Sequence, residues 1–175
     1  MDARIKSGHD EGNSSQFMSV ESVRAFFAEH APDIPVIESG QSSATVALAA
    51  EAFGVPPSHI AKTLSLRVGD QVLLVVTCGT ARLDNKKARA AFGGKPRMLN
   101  ADEAFEATGH RVGGICPFGL KTPLPVYCDV SLKDFDIVVP AAGSGNSAVR
   151  ISPQRMAELT NAQWVDVCEV VAFPK

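Results

Sequence analysis

The sequence predicts an α+β fold: one domain with a mixed, largely antiparallel β-sheet flanked by helices. Strand-like and helix-like segments are interleaved without a regular βαβ repeat. The run Val72-Leu73-Leu74-Val75-Val76 is apolar on both parities, which suits a central strand covered on two faces. Gly69-Asp70 separates that run from an alternating segment and marks a hairpin between them.

Taken in order, residues 1–18 are small and polar, and read as a flexible N-terminal tail ahead of a domain spanning 19–175. Ser19 is positioned to cap a helix through His30 that buries Val20, Val23, Phe26 and Phe27. A short strand is expected at 34–37. Residues 43–53 read as an alanine-rich helix closed by Gly54. Pro56-Pro57-Ser58 then turns the chain into a strand at 62–68, paired through the hairpin with 71–77. Asp84 caps a helix to Phe92, ended by Gly93-Gly94, and Asn100 caps another to Thr108, ended by Gly109. Strands are expected near 125–130, 137–140 and 147–151. Ser152 and Pro153 open a last helix to Thr160, and 164–171 closes the chain as a strand.

At 175 residues, 45% of them hydrophobic, the chain is long enough for one domain with a substantial core. No apolar run approaches the roughly 20 residues that span a bilayer, and no signal-peptide core opens the sequence, so the cytoplasm is the expected location. Cys78, Cys116, Cys128 and Cys168 form no C-x-x-C pair, and His9, His30, His59 and His110 add no ligand spacing. Free thiols are therefore expected, with no metal and no cofactor. A formal charge of −2 offers no global attraction to nucleic acid, so any basic patch is local.

Four segments carry candidate chemistry. Lys62 falls on the parity of Leu64, Leu66 and Val68, where an ammonium either serves a pocket or escapes to water at the strand end. The loop Gly113-Gly114-Ile115-Cys116-Pro117-Phe118-Gly119 is a tight turn, or else a set of backbone N–H groups that a ligand oxygen can approach. Cys116 within it reads as a small apolar filler in preference to a nucleophile, since no neighbouring group lowers its pKa. Gly143, Ser144, Asn146 and Ser147 follow an apolar strand, and form either a plain turn or a polar recognition loop. Lys86, Lys87 and Arg89 belong to a basic cluster between residues 80 and 97 that holds one acid, Asp84; it is a solvated helix face or a phosphate-contacting surface.

In this order the segments resemble the YbaK family, also called the prolyl-tRNA synthetase-associated domain. The carriers are Ile60-Ala61-Lys62-Thr63-Leu64, the G-x-x-x-P loop from Gly113 to Pro117, Val126-Tyr127-Cys128-Asp129-Val130-Ser131-Leu132, and residues 141–149. The resemblance runs from about residue 20 to residue 170. It implies an α+β editing domain that hydrolyses the ester of a mischarged tRNA, with Lys62 and Gly113 as the catalytic pair. Gly114, Ile115, Cys116, Pro117, Phe118, Gly143, Ser144, Asn146 and Ser147 are then the expected substrate-binding positions, and Lys86, Lys87 and Arg89 the expected tRNA contacts. The implied partner is mischarged tRNA, with tRNA(Pro) first and an aminoacyl-tRNA synthetase beside it; neither a membrane nor DNA is expected. Synthetase-embedded members that discharge alanine carry a histidine in the third segment, whereas here Asn146 and Ser147 stand in that neighbourhood. The amino acid removed is thus open among alanine, serine, threonine, cysteine and a small analogue. A non-catalytic tRNA- or nucleotide-binding or regulatory module on the same fold is the alternative.

Overall fold

Apolar residues at helical spacing, with Val20, Val23 and Phe27 buried, fold the first described segment into α1 (Glu11–His30). The structure, a computed structural model, describes the backbone of residues 11–170 and the side chains of 19–170. Of the expected tail, residues 1–10 lie outside the described residues. The helix runs back past Ser19 to Glu11, so Ser19 is not its cap. Ser19 is 3% exposed, and its hydroxyl is engaged by the ring of His110 instead.

After α1 come β1 (Ile37–Glu38), α2 (Val46–Phe53), β2 (Ile60–Val68) and β3 (Gln71–Cys78). Next are β4 (Ala81–Leu83), α3 (Asn85–Phe92), β5 (Arg97–Met98), α4 (Ala101–Thr108) and β6 (Val126–Asp129). The chain ends in β7 (Val139–Pro140), β8 (Ser147–Ala148), α5 (Pro153–Thr160), β9 (Gln163–Val165) and β10 (Cys168–Val170). Capping follows local chemistry. Asp84 and Ser152 accept from the third backbone N–H of α3 and α5, and Asn100 does the same for α4 while Glu103 returns the bond. The expected helix at 43–53 begins later, at Val46 with Thr45 as its cap. Ser43 is drawn out of the helix because its N–H and hydroxyl both donate to the Gly145 carbonyl, at 2.6 and 3.2 Å.

The main sheet has six strands in the order β5-β2-β3-β6-β9, with β7 beside β2. β2 is antiparallel to β3 and β5, whereas β7, β6 and β9 join by parallel pairing. Two small antiparallel sheets, β1 with β8 and β4 with β10, complete the α+β architecture. β3 is buried from Leu73 to Cys78, as expected of a central strand with both faces covered. The strand expected at 164–171 divides in two. β9 joins the main sheet and β10 turns away to pair with β4. Val167 lies at the break, where its N–H donates to Asp129 Oδ1 and its carbonyl accepts from Asp84 N–H, both at 2.8 Å. A second small apolar cluster, containing Ala49, Phe53, Ile60, Val139 and Ala148, fixes α2 against the start of β2 and the short strands β7 and β8.

Candidate active site

Among the described residues, the outer edge of β2 is covered only toward its ends. β7 pairs with Ile60 and Ala61, and β5 with Leu66 and Arg67. Leu99 N–H also donates to Ser65 O, at 3.0 Å. Backbone groups two residues apart in a strand point to the same edge, so the N–H and C=O of Thr63 face the gap. A cavity of about 330 Å³ opens along it. α2 contributes Val46, Ala49 and Phe53 to its wall, β7 and β8 contribute Val139 and Ala148, and the glycine-rich loop contributes Gly113 and Ile115.

Ala61, Thr63 and Ser65 alternate along the cavity side of β2. This is the parity that the sequence reading left polar. Lys62 also lines the cavity, although strand alternation sends its side chain to the face opposite Thr63. Burial lowers the Lys62 pKa from its ordinary value near 10.5, and the Cys168 and Cys78 thiols offset part of that shift. The Thr63 hydroxyl is buried and meets no hydrogen-bond partner among the described residues. A buried hydroxyl left unpaired at a cavity wall is available to a ligand.

Two loops close the opposite wall, and their backbones lie too close for side chains. A Cβ on Gly114 would stand 2.5 Å from the Gly143 carbonyl carbon and 2.7 Å from Ser144 Cα. Gly143 N–H donates to Gly114 O at 3.0 Å and ties the loops together. Gly113 has φ +96°, a conformation that L side chains rarely adopt, and a Cβ there would sit 3.1 Å from Ala44 Cβ. Among the described residues, the N–H groups of Gly113 and Ile115 have no protein acceptor.

The expected site residues therefore separate into those at the cavity and those behind it. Lys62, Gly113, Ile115 and Ser147 line the cavity. Ser144 is spent within its own loop, and Asn146 within it and on Ser39. The Ser144 hydroxyl is 2.7 Å from that of Ser147 and donates to Asn146 Oδ1 at 2.8 Å, and Asn146 Nδ2 donates to Ser39 O at 3.1 Å. Gly114 and Gly143 form the contact between loops. Pro117 is buried, and Cys116 and Phe118 are sealed in the core. Burial pushes the Cys116 thiol up to about 12, so it stays protonated. Thr63 and Ser65 were missed by the sequence reading; their signal was two small hydroxyl side chains at alternate positions of a strand whose other parity carries Leu64 and Leu66.

The expected tRNA contacts divide as well. Lys87 Nζ donates to Asp166 Oδ1 and to Cys168 O, both at 3.1 Å, and the Asp166 bond raises its pKa. Lys86 and Arg89 are exposed and form no ion pair among the described residues. Among those same residues, no cluster of three His, Cys, Asp or Glu side chains could hold a metal, and no helix is long and apolar enough to cross a membrane.

Residues 41–159 match the model of the family described as "Aminoacyl-tRNA editing domain". "Uncharacterized protein YwhH" of Bacillus subtilis (strain 168) is 51% identical, over 87% of this chain and 98% of its own length. "Putative Cys-tRNA(Pro)/Cys-tRNA(Cys) deacylase EbsC" of Enterococcus faecalis (strain ATCC 700802 / V583) is 30% identical, over 67% of this chain and 73% of its own. A solved structure described as "a putative trans-editing enzyme for prolyl tRNA synthetase" superposes with a TM-score of 0.81 at 32% identity, over 86% of this chain and 97% of that one.

Proposed function

This chain belongs to the aminoacyl-tRNA editing domain family, and on that premise we propose that it is a trans-editing deacylase acting on a small amino acid esterified to the 3′ end of a mischarged tRNA. The observation that carries the proposal is the cavity along the open edge of β2, small and mostly apolar, with donors in two of its walls that have no acceptor among the described residues. An aminoacyl ester is already activated, so positioning and polarisation suffice and no strong nucleophile is required.

In the proposed reaction, the N–H groups of Gly113 and Ile115 receive the ester carbonyl oxygen as it gains negative charge. The Thr63 hydroxyl holds a polar group of the substrate, and Lys62 holds the terminal nucleotide or polarises the ester. Water adds to the carbonyl carbon and the bond to the ribose oxygen breaks; one proton of the water restores the ribose hydroxyl, the other passes to solvent, and the amino acid leaves as a carboxylate. The sealed, protonated Cys116 supports attack by water over attack by a protein thiol. The proposed carrier is tRNA(Pro) in the cytoplasm, with a synthetase as supplier of the mischarged ester. Alanine, serine, threonine and cysteine are the proposed amino acids, because apolar pockets separate side chains this small by only about 1–3 kcal/mol per methylene.

The test is incubation with tRNA(Pro) charged separately with alanine, serine, threonine, cysteine and proline, beside Lys62→Ala. Release of a small amino acid with proline spared, lost in the variant, supports the proposal. Survival of all five esters at high protein concentration, together with tight binding of the tRNA, favours a binding module instead.

A further inference from the structure

The cavity side of β2 continues beyond the cavity. Ser65 and Leu99 lie opposite each other across β2 and β5, joined by the Leu99 N–H bond, and both line the cavity. Two residues further along the same face, a step of about 7 Å, Arg67 stands directly opposite Arg97. Like charges directly opposed across strands repel each other and weaken the pairing. One carboxylate answers them: Glu103 takes a two-pronged contact from the Arg97 guanidinium, at 3.2 and 3.0 Å. The rung therefore keeps one positive charge in excess. Arg67, only partly exposed, forms no ion pair or hydrogen bond among the described residues.

From this juxtaposition we infer that Arg67, backed by Arg97, binds an RNA phosphodiester at the mouth of the cavity. The site rests on the editing reading and deepens it. An aminoacyl group seated in the cavity beside Thr63 and Ser65 leaves its own nucleotide extending outward, and one nucleotide's reach matches the step from that rung to the arginine rung. A planar guanidinium with free donors suits a phosphate. Glu103 holds Arg97 in place; the charge of Arg67 also reaches that carboxylate, but the Arg67 fork makes no hydrogen bond to it. The repulsion across the rung is then relieved when the phosphate arrives.

The probe is an uncharged acceptor-stem hairpin with a single-stranded 3′ end, compared with the same RNA carrying a neutral methylphosphonate at its last internucleotide linkage. Binding is measured across a salt series for the wild type, Arg67→Gln and Arg67→Lys. Arg67→Gln is expected to weaken binding about tenfold at low salt and to reduce the salt slope by about 0.7. The methylphosphonate should cost the wild type the same amount and Arg67→Gln nothing further, while Arg67→Lys keeps most of the slope. Melting of Arg67→Gln at or above the wild-type temperature shows that weaker binding does not come from misfolding. If Arg67→Gln binds like an active wild type, or if the two losses simply add, the phosphate site is overturned and the editing activity stands. If the wild type neither binds nor deacylates, both fall together.

Discussion

The Ser19 hydroxyl donates to Nδ1 of His110 in the interior, while His110 Nε2–H donates to the Phe118 carbonyl at 2.8 Å. The second bond fixes the tautomer, because a carbonyl can only accept. One neutral imidazole thereby fastens α1 to the loop that lines the cavity. Replacing His110 with alanine leaves the buried Ser19 hydroxyl without its partner and the Phe118 carbonyl with only the 3.7 Å contact from the Cys116 thiol, and should destabilise the protein by about 2–4 kcal/mol in urea unfolding.

The same ring predicts a pH effect. Burial lowers the His110 pKa below 6.5, so the unfolded chain binds more protons than the folded one in acid. Its contribution to stability is complete above about pH 6.5 and declines as the pH falls toward the lowered folded value. A His110→Gln variant should show a shallower loss of stability between neutral pH and mild acid, read from melting curves across that range.

Lys62 should separate stability from turnover. Its ammonium is half-buried with no carboxylate beside it among the described residues, so Lys62→Met removes a desolvated charge and keeps the stem. The variant should melt no lower than the wild type while its deacylation rate falls at least about 100-fold. A large drop in melting temperature would show instead that the lysine is part of the scaffold.

Adjacent glycines should fail in different ways. Gly114→Ala inserts a methyl between two backbones and should cost about 1–3 kcal/mol of stability. Gly113→Ala is limited by its positive φ and by Ala44, which points to a strain of about 1–2 kcal/mol and a displaced carbonyl-binding N–H. Activity at a temperature where both variants remain folded should fall further for Gly113→Ala.

Asp129 offers a control away from the cavity. It is 1% exposed, and its two oxygens accept from Val167 N–H at 2.8 Å and Ser131 N–H at 2.9 Å. Asp129→Ala leaves both donors stranded, for a predicted loss of about 2–5 kcal/mol in chemical denaturation. Whatever fraction stays folded should keep its substrate preference.

The longer elements were legible in the sequence because each is signalled by several residues at once. Asn100 with Gly109, Ser152 with Pro153, and Gly69-Asp70 between an alternating segment and an apolar run each mark a boundary by local chemistry. β4 and β5 escaped notice because strands of three and two residues carry no period, and their pairing depends on distant partners. The cavity side of β2 was misjudged for a related reason. Alternation distinguishes two faces, and when both are covered it does not say which of them borders a void. Lys62 and the Gly113 loop could be picked out as unusual residues, but Thr63 and Arg67 become informative only once their neighbours in space are known.

The partial cover on β2 also bears on how the protein behaves at high concentration. An exposed strand edge is a template for another chain. Here β7 and β5 occupy both ends of that edge, leaving an unpaired stretch too short to seat a foreign strand. The opening that admits a small ester thus refuses a β-strand, so widening it by deleting β5 would expose the protein to aggregation before it broadened the substrate range.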